Sequence, residues 1–278
     1  MDVDSIIELA LKEDIGDGDV TTEATIPPEG KGQAEIIARQ EGVIAGLDVT
    51  RSVFRRIDDR LIISSKFSDG NSVAVNNCLM KINGSLSSIL KAERVALNFL
   101  GRLSGIATLT QKFVKAVAGT NCIILDTRKT TPVLRDLEKS AVKCGGGQNH
   151  RRGLFDMYLV KENHIAAAGG IREALTGVFN HCKKTNNDLP VEIEVRNLEE
   201  IKTVIRYPID RVLLDNMTID EISQAVKVCE GKKVELEVSG GVDLETVRQI
   251  AQTGVNYISV GKLTHSAPVF DLSLLVKS

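Results

Sequence analysis

Val191-Glu192-Ile193-Glu194-Val195 puts three apolar side chains on one face of an extended strand and two glutamates on the other. Val234-Glu235-Leu236-Glu237-Val238 repeats the arrangement later in the chain. A strand inside a parallel sheet is ordinarily apolar on both faces. A mixed pair therefore predicts that the valine side meets helices while the carboxylates face the inside of a sheet curled on itself. Carboxylates buried there are costly unless cations, a metal or water offset their charge. The pattern predicts a β/α barrel whose interior is wet or occupied by a ligand.

The same rhythm continues on both sides. Short apolar or β-branched runs at 122–125, 157–160, 212–214 and 257–260 alternate with helical stripes. Ile171, Leu175, Val178 and Cys182 form one stripe; Leu198, Ile201 and Ile205, then Ile219, Ile222, Val226 and Cys229, then Leu244, Val247 and Ala251 form three more. At least six such strand–helix units favour a barrel over an open doubly wound sheet. Residues 1–110 lack this rhythm. Strand-like segments at 33–38, 61–66 and 79–82 are broken by Pro27-Pro28, Asp69-Gly70 and Asn83-Gly84, and helical patterns run through 47–57 and 87–117. The expected division is an α+β layer over 1–110, joined by 266–278, and a barrel over 111–265.

The chain of 278 residues can bury a core of this size. A net charge of −2 gives no overall field toward nucleic acid or a membrane surface, so any anion site must be a local cluster of cations. No tryptophan and 4% aromatic residues argue against base-stacking surfaces. The acidic opening Met1-Asp2-Val3-Asp4-Ser5 does not read as a secretory leader, and no apolar run approaches the ~20 residues of a membrane span. Five scattered cysteines without a C-x-x-C pair fit reduced thiols. The expected setting is cytoplasmic.

Barrel active sites gather at the C-terminal ends of the strands. Those ends carry Asp126-Thr127-Arg128-Lys129, Lys161, Glu194, Asp215-Asn216, Ser239-Gly240-Gly241 and Gly261, with Cys144-Gly-Gly-Gly-Gln-Asn-His150-Arg151-Arg152 between the first two strands. Arg128, Lys129, Arg151 and Lys161 make a cationic cluster suited to carboxylates and phosphates. Glu194 and Asp215 beside them suit magnesium, which takes one or two carboxylates plus substrate oxygens. Ser239-Gly240-Gly241, ahead of an expected helix at 244–251, offers backbone N–H groups and a helix N-terminus to a phosphate. His150 reads as a hydrogen-bond donor to substrate or as a structural histidine, and Arg94, among Leu90 and Leu97, as snorkelling, paired or facing another subunit.

These residues resemble a known family. Asp126-Thr-Arg-Lys-Thr-Thr-Pro132, Leu134-Arg135, Glu138-Lys139, Gly-Gly-Gly-Gln-Asn-His-Arg151, Val160-Lys-Glu-Asn-His164, Glu192-Ile-Glu-Val195, Leu214-Asp-Asn216, Ser239-Gly-Gly241, Ser259-Val-Gly261 and Thr264-His-Ser266 are similar to quinolinate phosphoribosyltransferases. Glu13-Asp-Ile-Gly-Asp-Gly-Asp-Val-Thr-Thr22, Glu93-Arg94 and Leu103-Ser-Gly-Ile-Ala107 extend the likeness nearly end to end. The resemblance implies an N-terminal α/β sandwich on an open-sided β/α barrel, assembled as a homodimer or larger homo-oligomer. It implies transfer of phosphoribose from 5-phosphoribosyl-1-pyrophosphate to quinolinate with decarboxylation, in NAD biosynthesis. Arg128, His150, Arg151 and Lys161 would hold the quinolinate carboxylates, with Arg94 reaching in from the partner. Lys129, Glu194 and Asp215 would serve phosphoribosyl pyrophosphate and Mg2+; Ser239, Gly240, Gly241, Gly261 and His265 would take the 5-phosphate, and Thr127 would lie among the substrate-binding residues. Lys129, Lys161, Glu194 and Asp215 are the expected catalytic set. Val133 stands where glycine is usual, Ser140 where tyrosine is usual, and Lys262 where a small or apolar residue is usual.

Three other readings compete: a Schiff-base aldolase using Lys129 or Lys161, the related fold associated with molybdenum transport, and a silent binder of phosphorylated ligands. The dense arginines and lysines and the retained Glu194 and Asp215 disfavour them.

Overall fold

The computed structural model describes residues 2–277. The chain opens with α1 (Val3–Ile15), α2 (Val20–Thr25), β1 (Lys31–Ala38), β2 (Gly42–Val43), α3 (Leu47–Ile57), β3 (Ile62–Ser64), β4 (Ser72–Val73), β5 (Cys78–Ser85) and α4 (Leu86–Ala116). It continues with β6 (Ile123–Leu125), α5 (Arg135–Cys144), β7 (Tyr158–Val160), α6 (Glu162–Ala168), α7 (Ile171–Thr185), β8 (Val191–Val195) and α8 (Leu198–Val204). Then come β9 (Arg211–Asp215), α9 (Ile219–Cys229), β10 (Glu235–Ser239), α10 (Val247–Gln252), β11 (Tyr257–Ser259), α11 (Lys262–His265) and β12 (Leu272–Lys277). Two compact units result. The first holds residues up to Gln111, Thr130–Gly146 and the stretch from Leu263; the second holds Lys112–Lys129 and Gly147–Lys262.

In the first unit an antiparallel sheet runs in the order β12-β1-β5-β3. Alternation sorts its faces. Ala34, Ile36, Met80 and Ile82 are fully buried in one apolar cluster with Phe54 and Phe270. Glu35 turns to the other face, where Lys81 and Lys277 each pair with it at 3.1 Å. β12 zips antiparallel onto β1 from Gln33 opposite Lys277 to Ala38 opposite Leu272.

Residues 130–146 depart from the expected division, because they cluster with this unit rather than with the barrel. Two contacts explain it. The Glu138 carboxylate, 0% exposed, accepts from the guanidinium of Arg102 on α4 at 2.8 Å and from the Thr131 N–H at 3.1 Å. Gly145 lies so close to the α4 backbone that a Cβ there would stand 2.3 Å from the Ala107 carbonyl oxygen, a position only glycine tolerates.

In the second unit six strands pair in parallel in the order β6-β11-β10-β9-β8-β7. β6 and β7 form no pairing with each other, which leaves the curled sheet open on one side. The chain re-enters at Gln148, whose N–H donates to the Ile124 carbonyl at 2.9 Å and which bridges Leu125 in parallel. Val191, Ile193, Val195, Val212, Leu214, Leu236 and Val238 supply the buried outer faces of the strands, and α8, α9 and α10 bury Ile201, Ile222 and Val247. The apolar stripes match the buried helix faces except at the first residue of two stripes, Ile219 and Leu244, which are exposed.

Candidate active site

Counting in twos along each strand gives the inner face. β9 presents Arg211, Leu213 and Asp215; β10 presents Glu235, Glu237 and Ser239, in register with them one for one. β8 presents Glu192 and Glu194, paired in register with Arg211 and Leu213. Asp215 and Ser239 lie at the C-terminal ends; Arg211 and Glu235 lie at the opposite ends.

The rim gathers much of what the sequence singled out. Lys161 leaves the end of β7 and its Nζ lies 2.9 Å from Oε2 of the buried Glu194. Its own N–H donates to His164 Nδ1 at 2.9 Å, which opens α6. Asp215 accepts from the Ser239 hydroxyl at 2.8 Å and from the Asn216 amide at 2.7 Å. Arg128 and Arg151 are half-buried. Burial, and then the positive charge of Arg128, pull the Arg151 pKa below its ordinary value, the expected response of cations gathered in one place. Thr127 accepts the Lys129 N–H at 3.0 Å, closing the turn that carries both cations. Gly240, at φ +91°, packs so tightly on Asn216 that a Cβ would fall 2.1 Å from Oδ1; Gly241, at φ +62°, faces open space. The helix expected at 244–251 begins only at Val247, because Asp243 first closes a turn by accepting the N–H groups of Glu245 and Thr246. Backbone N–H groups of the glycine pair, not an adjoining helix terminus, are what this loop offers an anion. Arg94 is exposed on α4 and His265 is exposed on α11; both belong to the first unit.

Below the rim the interior differs from expectation. It is filled by the protein's own charges. His150 Nε2 lies 3.1 Å from Glu192 Oε2 and 3.3 Å from Glu237 Oε1. Arg211 donates to Glu237 at 2.7 Å and to Glu235 at 3.2 Å, and its guanidinium sits 3.8 Å over the Tyr257 ring. The Tyr257 hydroxyl donates to Glu235 at 3.0 Å. Burial alone would lower the His150 pKa; the hydrogen bonds to Glu192 and Glu237 outweigh it and push it up to about 9. Burial raises Glu192, whereas at Glu237 the burial effect is outweighed by His150 and Arg211 and the carboxyl is held low. The Arg151 N–H points at His150 Nδ1 at 2.7 Å, which favours a ring carrying its proton on Nε2. His150, Glu192 and Glu237 offer ligand atoms within 4.8 Å of one another, but ring N–H and guanidinium already supply the positive charge.

Asp126 carried no assigned role in the sequence reading. Fully buried at the end of β6, it accepts the His150 N–H at 2.9 Å and the Asn149 amide at 2.6 Å. Arg211 was missed because the strand seemed to begin at Val212; its place two residues before Leu213 and four before Asp215 was the available signal.

Two family models cover nearly the whole chain: quinolinate phosphoribosyl transferase, N-terminal domain, over residues 19–104, and C-terminal domain, over 106–275. The chain belongs to the quinolinate phosphoribosyltransferase family. Among relatives, quinolinate phosphoribosyltransferase (decarboxylating) 1b of Nicotiana tabacum is 43% identical, covering 99% of this chain and 82% of the tobacco protein. A probable nicotinate-nucleotide pyrophosphorylase (carboxylating) of Synechocystis sp. is 38% identical over 99% of this chain and 92% of its own length. The solved nicotinate-nucleotide pyrophosphorylase of Francisella tularensis superposes with a TM-score of 0.93 at 42% identity, covering 99% and 96% of the two chains. Among the described residues no helix is long and apolar enough to cross a membrane. Against the usual phosphoribosyltransferase pattern, Val133 adopts φ +63°, the left-handed backbone that the glycine usual there takes without strain.

Proposed function

We propose that this chain transfers the phosphoribosyl group of 5-phosphoribosyl-1-pyrophosphate to quinolinate, releasing pyrophosphate and carbon dioxide and leaving nicotinate mononucleotide, a step of NAD biosynthesis. The observation that carries the reading is the convergence of half-buried Arg128 and Arg151 on a rim that also bears the Lys161–Glu194 pair. Two multiply charged anions need such a cluster, and the chain as a whole, at −2, supplies no other attraction.

The pyridine nitrogen attacks the anomeric carbon as its bond to pyrophosphate breaks, and the electron pair leaves with pyrophosphate. No protein nucleophile is required. Arg128, Arg151 and Lys161 hold the two carboxylates and so aim the nitrogen; fixed charges of this kind need no reorganisation during reaction. Glu194, close to the ribose, stabilises the positive charge that develops on the sugar carbon. The new pyridinium then draws in the electron pair of the adjacent C–COO bond, carbon dioxide departs, and a proton takes its place on the ring. Lys129, Glu194 and Asp215 serve the pyrophosphate end. Glu194 and Asp215 fit magnesium in donor chemistry, being hard oxygen ligands at neighbouring strand ends; when bound, the ion would neutralise the departing pyrophosphate. The Lys161 ammonium is engaged by Glu194, which disfavours a Schiff-base role. Assembly as a homodimer or larger, with Arg94 supplied by the partner, belongs to the same reading, as does a cytoplasmic setting. Exposure of Arg94 on α4 supports the first and five free cysteines support the second.

The test mixes protein, Mg2+, quinolinate and 5-phosphoribosyl-1-pyrophosphate and measures mononucleotide and carbon dioxide. One of each per pyrophosphate is expected; absence of product ends the reading. Lys161→Ala should lower kcat/KM by about a thousandfold or more, roughly 4 kcal/mol, with an unchanged circular dichroism spectrum. Near-normal turnover in that variant removes Lys161 from its role.

A further inference from the structure

The rim residues account for the anions, but the rim does not explain why the layer beneath it is so highly charged. Arg211 stands four residues before Asp215 on β9, roughly 13 Å from the strand end at about 3.3 Å per residue. It cannot act on a substrate held at the rim directly. What it touches is Glu237, at 2.7 Å, and Glu237 touches His150. On its far side Arg211 is itself pinned, stacked over Tyr257 and bonded to Glu235, which in turn accepts from the Tyr257 hydroxyl. Each link is polar, and Glu237 and His150 have side chains only 1% and 7% exposed, so the Arg211–Glu237–His150 stretch is shielded from bulk water, while Glu235 at its outer end is 47% exposed. An apolar filling of the same volume would stabilise the fold as well or better.

We infer that Arg211 and Glu237 are positioning residues: a chain of contacts, Tyr257–Glu235–Arg211–Glu237–His150, fixes the imidazole from inside the barrel, and His150 Nδ1, by accepting the Arg151 N–H, carries that constraint to the arginine that meets the pyridine dicarboxylate. The backbone of His150 is already tied to Asp126. With the backbone held, the side-chain torsions are what remain free, and the two carboxylates on Nε2 remove that freedom. The inference rests on the proposed function for the identity of the substrate, and on geometry alone for the fixing of the ring.

The experiment uses the full-length protein with Mg2+, quinolinate and 5-phosphoribosyl-1-pyrophosphate. Glu237→Gln keeps the shape and removes the charge. It should raise the KM for quinolinate about tenfold, the effect of losing one charge-assisted hydrogen bond, while kcat and the KM for phosphoribosyl pyrophosphate change less than about threefold. Arg211→Lys, which keeps the charge but loses the stack and the fork, should show the same split at about threefold. In the ligand-free protein the His150 ring nitrogen resonances should move in both variants. Kinetic constants within twofold of wild type together with an unmoved His150 signal overturn the inference. So does an equal rise in both KM values alongside a lowered melting temperature, the mark of a purely structural role. Should Glu237→Gln not fold, Arg211→Lys decides by the same criteria. A wild-type protein that makes no product ends the functional reading instead, and the ring resonances then decide the positioning claim by themselves.

Discussion

The two units of this molecule fill their interiors by opposite means. Around Phe54, Ile36, Met80 and Phe270 the first unit packs a large apolar cluster, with buried charge confined, among the described residues, to Glu138 and Lys139 on α5. Inside the sheet of the second, Glu192 and Glu237 are as deeply buried as those hydrophobes, with Arg211 and His150 beside them. An apolar core gains from contact area and loses in proportion to the cavity left by a deletion. A charged interior gains little net stability, yet each member holds its neighbours in place, so one deletion leaves an uncompensated charge. The first interior holds the fold together. The second holds directions.

Matched substitutions should break or sharpen that contrast. Arg211→Met strands Glu237 and should cost about 3–5 kcal/mol; Phe54→Ala should cost a similar amount through its cavity. Adding Glu237→Leu to the first should return most of the lost stability, as removing both partners of a buried pair often does, while quinolinate affinity stays impaired. Urea denaturation measures all three. If the double substitution restores nothing, the charged interior is stabilising in its own right and the contrast fails.

A smaller effect should follow from pH. The folded protein holds the His150 proton more tightly than an unfolded chain does, since the His150 pKa rises from 6.5 to about 9. That stabilisation is complete below about pH 6.5 and disappears as pH rises through about 9, and it amounts to about 3 kcal/mol. Urea midpoints at pH 6 and above pH 9 should show the fall, and Glu237→Gln should flatten it. A wild-type midpoint that does not change across this window would mean that the cluster does not hold the proton.

The smallest effect lies on the apolar side of the comparison. Val133 is 62% exposed and branched at Cβ, in a backbone conformation that suits glycine. Val133→Gly should relieve about 1–2 kcal/mol of strain, less the entropy that glycine adds to the unfolded chain, for a net gain of about 0.5–1 kcal/mol in thermal unfolding with unchanged activity.

Much of this was legible in the sequence, unevenly. The Val-Glu-Ile-Glu-Val alternation disclosed both faces of β8 because side-chain direction along a strand is a local property. The six strands and the stripes of α7 to α10 were legible for the same reason. What offsets the carboxylates was not legible: Arg211 and His150 lie on separate segments, and only the folded register brings them to Glu237. The placement of 130–146 with the first unit was likewise hidden, since Glu138 reveals its partner Arg102 only when α5 meets α4. The late start of α10 turned on Asp243, to which the sequence reading gave no role and whose side chain closes a turn ahead of the helix. Val133 was recognised as a departure from the pattern; that it carries a positive φ needed coordinates.

The pairing of β1 with β12 sets a schedule on synthesis. Arg39 and Ser273, joined by a hydrogen bond beside that seam, are 234 positions apart. At about 5–20 residues per second a ribosome needs roughly 10–50 s to span them. Throughout that interval β1 displays a bare row of N–H and C=O groups along one margin, an invitation to the same strand on a neighbouring nascent chain. The second unit has all six of its strands before then, so the half of the molecule that begins first is the half that finishes last.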